Sequence, residues 1–243
     1  MPPFRLALQA IAIVACACGS TQKPYNPFKV PRESFYPALK TVALAPVRLP
    51  GDLEDPEPVR ALFAGAIEAK LKNSGIAVVP GSDVGPIIEA KTKEAGGVFD
   101  PTTGKADEAK VKALNAAIGR ELKARFNADA LLTPSIRVVN AALSHDQARW
   151  DGVTEGAGKG GFWKALVRTH SGSIRALSLV VVVADPEGQL LYAKGGGIQV
   201  LGNVTVGGDF DRRPRSELFA DGDRNENAVH IALDPLLLGS DTM

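Results

Sequence analysis

The sequence predicts an α/β (α+β) fold, a mixed β-sheet with a β-α-β unit, a long central hairpin and packed helices, and three observations point to it. Ile174 to Ala184 is an aliphatic run with consecutive valines from Val180 to Val183, so apolar groups face both ways, as in a central strand covered on both sides. Asp185-Pro186-Glu187-Gly188 then supplies the residues of a type I turn, which returns Gln189 to Leu201 antiparallel. Upstream, the apolar runs Thr41 to Val47 and Ile76 to Pro80 flank a helical stretch, an order that gives two parallel strands joined by a crossover helix. Glycines at 195, 196 and 197 weaken the return strand and predict a bulge or a close approach by another backbone.

The amino-terminal end reads as export. Arg5 precedes an apolar run from Leu6 to Ala15, which has the length and order of a signal-peptide core and is too short to span a bilayer. Both cysteines, Cys16 and Cys18, fall here, which leaves the remainder without thiols for disulfides, nucleophiles or zinc-thiolate sites. Ile13-Val14-Ala15-Cys16 resembles a bacterial lipobox, whose cysteine is acylated and becomes the mature amino terminus. Cys18 fits less well, because Ala15 fills its aliphatic position. Neither cysteine is followed by the aspartate that resembles an inner-membrane retention signal, so the resemblance implies the outer membrane with the domain in the periplasm. Several acyl chains, at about 0.8 kcal/mol per buried methylene, would hold such a protein on the membrane.

The chain divides accordingly into a signal peptide, 1–15, a lipidated tether, 16–37, and one α/β domain, 38–243. Pro24, Pro27, Pro31 and Pro37 bar helix and central strand from the tether, while Phe35 and Tyr36 are expected to dock on the domain. Within the domain Val59, Leu62, Phe63, Ala66, Ile67 and Leu71 form one apolar helical stripe ended by Gly75. Ser82 is expected to cap a second helix carrying Ile87 and Ile88. A third, from about Ala106 to Phe126, carries Val111, Leu114, Ile118 and Leu122 inward. Ala128 to Val139 returns to strand. Residues 141–172 hold both tryptophans and no clean period beyond a possible strand at Gln147 to Thr154, and are expected to project as a hairpin or long loop. After a polar connection from Gly202 to Gly222, Asp223 is expected to cap a last helix, with Val229, Leu233 and Leu236 inward and Pro235 kinking or ending it.

That order, with KTVALAPV, GIAVVPGSDV, ADALLTPSIRVV, the hairpin and the terminal AVHIALDPLL, resembles the superfamily that includes the amino-terminal domain of TolB, the curli-secretion lipoprotein and the lipoprotein activators of penicillin-binding proteins. The resemblance covers about Lys40 to Leu238 and implies a periplasmic, lipid-tethered domain that binds other proteins without catalysis. Pore-forming members carry amphipathic membrane hairpins, whereas residues 141–172 are too polar and glycine-rich to line a bilayer.

Composition narrows the partners. Lys and Arg number 28 against 27 Asp and Glu, a net charge of +1 that makes no field for nucleic acid. Gly156-Ala157-Gly158-Lys159-Gly160-Gly161 satisfies G-x-G-x-x-G, but Arg149 to Glu155 before it is not the buried apolar strand a dinucleotide site needs, and Asp185 is explained by the turn. His145, His170 and His230 lack the short spacing of metal ligands on one helix face. Glu68 and Lys72 read as a solvated helical pair. No residue is assigned to catalysis, cofactor or metal. The expectation is therefore a non-enzymatic, lipid-anchored envelope protein that binds another protein in envelope assembly, transport or peptidoglycan synthesis; the alternative is an exported hydrolase acting on envelope material. The partner-binding surface is expected on the projecting segment, at Trp150, Phe162 and Trp163, because tryptophan is enriched among residues that carry interface energy. For Trp150 the opposing reading is inward packing against the sheet.

Overall fold

A computed structural model describes residues 25–36, 39–51, 56–99, 103–157, 171–205 and 209–237. The predicted β-α-β unit is present: β1 (Thr41–Leu44) pairs parallel with β2 (Ala77–Val79), and α2 (Pro56–Asn73) joins them. It follows the short α1 (Arg32–Phe35). The α2 helix stops where Gly75, at φ 77°, lets its N–H reach Lys72 O and the Ile76 N–H reach Leu71 O. Helices α3 (Gly81–Glu94) and α4 (Glu108–Phe126) follow. Asp107 caps α4 through its side chain, whereas Ser82 lies inside α3, which begins at Gly81 with no side-chain cap, so the expected Ser82 cap does not form.

The long strand β3 (Ala130–Ser144) organises the sheet. Its first half pairs parallel with β1, and along its other edge β6 (Gly172–Ala184) runs antiparallel from Leu131 to Leu143. β7 (Leu190–Val200) closes the predicted central hairpin, whose turn is fixed by Gly188 N–H to Asp185 O (3.0 Å) and by Gln189 N–H to the Asp185 carboxylate (2.7 Å). The main sheet thus runs β2-β1-β3-β6-β7. Residues 141–156 do not project freely. The end of β3 turns at His145-Asp146 into β4 (Gln147–Trp150), which pairs back on Ala142 to Ser144 and leads to β5 (Val153–Gly156). Beyond β7 come a two-stranded ribbon, β8 (Gly202–Val204) with β9 (Phe210–Arg212), and α5 (Gly222–Leu237). The cap of α5 is Asp221, whose carboxylate accepts the Arg224 N–H, and not Asp223, which lies in the first turn. The helix runs two residues past Pro235.

Three clusters make the core. α2 and α5 cover one sheet face: Phe63, Ile67 and Leu71 of α2 and Leu233 and Leu236 of α5 pack on Val42, Leu132, Leu179 and Tyr192. Each such side chain contributes about 1.5–3 kcal/mol by leaving water. Ile87 of α3 and Ile118 and Leu122 of α4 cover the other face over Ala43. Where that second layer ends, the β4-β5 hairpin continues it, burying Trp150 with Ala141, Leu143, Ile174 and Val200.

The expected tether from 16 to 37 is corrected over its described part, Tyr25 to Tyr36. Phe28 bridges Tyr192 on the outer edge of β7, with Lys29 N–H to Leu191 O at 2.8 Å and Ala193 N–H to Pro27 O at 3.0 Å. Phe28, Phe35, Tyr36 and Tyr192 stack edge to face, and the Tyr36 hydroxyl donates to Pro235 O. An open β edge is a template for unwanted pairing, and this segment covers it. Among the described residues no helix is long and apolar enough to cross a membrane.

Candidate functional site: a groove between two helices

The glycines of β7 determine how α5 lies. Gly196 faces α5, and a Cβ there would overlap the Ala228 carbonyl, so the helix backbone rests directly on the strand. Gly195 and Gly197 face the other way and admit Asp151 and the Trp150 and Val153 side chains, while a register shift at Ser178 marks the bulge. Both sequence expectations for these glycines are met at once. Tyr192 then anchors α5 by donating to Ala232 O at 2.6 Å, and its complete burial pushes the phenol pKa well above its ordinary value. Ahead of the helix, Phe219 sits at φ 63°, its N–H on Gln199 Oε1 and its carbonyl on Asn225 Nδ2.

With α5 held there, the small side chains of Gly65, Ala66 and Ala69 on α2 leave a groove of about 1280 Å³ between the two helices. Phe63 and Val229 form its floor. Leu62, expected inward, stands at its rim and is 44% exposed. Three titratable groups meet inside. Lys70 Nζ lies 3.0 Å from Asp234 Oδ1 and 2.5 Å from His230 Nδ1, and His230 Nε2 lies 2.8 Å from Asp234 Oδ2. An ammonium has only donors, so in this arrangement Nδ1 accepts from Lys70 and the Nε2–H donates to the carboxylate. Both ring nitrogens are thereby occupied. Ser74, the hydroxyl nearest in sequence to Lys70, donates to Lys70 O at 3.1 Å. Within the cluster the Lys70 ammonium and the Asp234 carboxylate balance each other's charge.

Trp150 is corrected as a surface residue: it is buried, and its Nε1 donates to Leu177 O at 3.0 Å, which is the inward-packing alternative. Phe162 and Trp163 lie outside the described residues, as do His170 and Cys16 and Cys18. Gly156 ends β5, a short antiparallel strand unlike the buried parallel strand that leads into a dinucleotide site, and Gly158, Lys159, Gly160 and Gly161 lie outside the described residues. His145 holds φ 51° in the β3-β4 turn beside the Ser144 hydroxyl. Glu68 and Lys72 pair at 2.6 Å on the surface of α2. Sequence reasoning missed the Lys70-His230-Asp234 cluster. Only the spacing of His230 and Asp234, four apart on an amphipathic helix, could have signalled half of it.

No protein family and no curated protein matches the chain. Among solved structures, the lipoprotein GNA1162 from Neisseria meningitidis is 13% identical over 84% of this chain and 99% of that one, at a TM-score of 0.33. PelC from Paraburkholderia phytofirmans, solved as a dodecamer, is 10% identical in one crystal form, over 82% of this chain and 89% of that one, at a TM-score of 0.34. In another form it is 8% identical, covering 82% and 87%, at 0.33. A likeness at these scores carries neither fold nor role across.

Proposed function

We propose that this chain is a non-enzymatic envelope lipoprotein, acylated on Cys16 and held at the outer membrane with its domain in the periplasm, that binds another protein during envelope assembly, transport or peptidoglycan synthesis. The lipobox and the element order that resembles the TolB, curli-secretion and penicillin-binding-protein-activator superfamily support the reading. The observation that carries it is the groove between α2 and α5, an open surface with an apolar floor, in which Lys70, His230 and Asp234 pair with one another and which Asp223 and Glu226 also line. Such a surface suits a partner's helix or extended segment.

Site-specific photo-crosslinking in cells making the full chain tests the reading. A photoreactive residue at Ala66, in the groove, is expected to give a discrete adduct with another protein, one at exposed Lys112 on α4 none, and Ala69→Trp is expected to abolish the Ala66 adduct without unfolding the domain. Absence of an adduct at Ala66, or equal adducts at both positions, would contradict it.

A further inference from the structure

The outer end of β7 offers a second surface. Tyr25 is 65% exposed, with its hydroxyl donating to Ala193 O and the Lys29 ammonium 5.2 Å from its ring centroid. Arg32 lies over the Phe28 ring at 4.6 Å and is itself exposed. Leu190, 40% exposed, begins β7 beside Leu191, whose carbonyl accepts the Lys29 N–H. Lys29 and Arg32 form no ion pair among the described residues, and Glu33 is the acid beside them on α1. An amphipathic ring, an exposed leucine and two cations without an acidic partner among the described residues are the groups that settle at a phospholipid headgroup layer.

Chain length says what lies opposite. Cys16 and Tyr25 are nine residues apart, so even a fully extended chain separates their Cα atoms by at most about 32 Å. We infer that Tyr25, Lys29, Arg32 and Leu190 form a membrane-contact patch that rests on an anionic phospholipid surface and sets the domain with its β7 edge towards the bilayer. This inference rests on the proposed acylation of Cys16. The anchor keeps the patch at high local concentration over the lipid, so contacts too weak to bind alone suffice to orient the domain.

The test uses the full lipidated chain, with Cys18→Ser to remove the second thiol, reconstituted on vesicles of phosphatidylethanolamine with phosphatidylglycerol. Spin labels are placed by Glu33→Cys, beside the patch, or by Ala77→Cys, on the β2 edge. The expected result is that the label at 33 is protected from a water-soluble nickel chelate while the label at 77 is not, and that Lys29→Glu with Arg32→Glu abolishes that protection although the protein still floats with the vesicles. If the protein floats but both labels are equally open to the chelate, or the charge reversals change nothing, the patch is overturned and the anchor stands. If the protein does not float at all, the anchoring reading fails and takes the patch with it.

Discussion

Gly196 shows at the scale of one residue how the sequence specifies packing. With α5 against one side of β7 and the β4-β5 hairpin against the other, any side chain at 195, 196 or 197 meets something, but not something equally yielding. At Gly196 the obstacle is the Ala228 carbonyl, which is helix backbone; at Gly195 it is the Asp151 carboxylate, a side-chain group that can shift by giving up its hydrogen bond from the Ser178 hydroxyl. Gly196→Ala is therefore expected to cost about 3 kcal/mol or to prevent folding, and Gly195→Ala distinctly less, measured by urea denaturation. Equal costs would contradict the helix-on-strand packing. The glycines were legible as a close approach, but the elements that approach come from positions far apart in the chain. Asp129 is a second such residue. Burial alone would raise its pKa, but the Lys123 ammonium at 2.9 Å and the N–H groups of Thr41 and Lys40 outweigh that and hold it below the ordinary carboxylate value. A depressed native pKa gives stability that is present above the unfolded value, about 3.9, and lost as pH falls through the native one. Asp129→Ala is thus expected to cost about 1–3 kcal/mol at neutral pH, with the gap to wild type narrowing in acid, and a gap that widens in acid would reverse the sign.

At the scale of elements, the segment from Tyr25 to Tyr36 differs most from its sequence expectation. Four prolines in one stretch spoke for a tether, and proline does bar helix and central strand; it does not bar an edge contact, where only one or two N–H groups are needed. The aromatics carried the better signal. Phe35 and Tyr36 dock as expected, and Phe28, at 5% exposure, docks with them. Phe28→Ala is expected to cost about 3 kcal/mol, as for other buried phenylalanines, so a chain starting at Phe35 should melt well below one starting at Tyr25. Equal melting temperatures by circular dichroism would show that the segment is not part of the folded unit. Helix starts were less legible than helices. Ser82 and Asp223 have capping chemistry, but the cap is whichever residue stands where the chain enters the helix, and a shift of one or two residues moves that role to Pro80 or Asp221.

For the whole molecule, the sheet centre, the parallel unit, the long hairpin and the order of helices could be read from periodicity, because each buries its own apolar pattern. The groove could not. Lys70 and His230 are 160 residues apart, and they meet only because Gly196 lets α5 lie flat and Gly65, Ala66 and Ala69 hold α2 open beside it. Small residues on a helix look like ordinary helix formers until a neighbour is placed against them. The exposed Tyr25 patch was hidden for a similar reason, since its neighbours Leu190 and Ala193 belong to the hairpin. Function and membrane orientation both hang on the cysteine upstream of that patch. Mass spectrometry of the mature amino terminus, on protein purified from membranes, measures this directly. The expected result is a chain beginning at Cys16 and carrying the mass of its acyl groups there; lipid on Cys18, or a mature amino terminus without lipid, would overturn the anchoring.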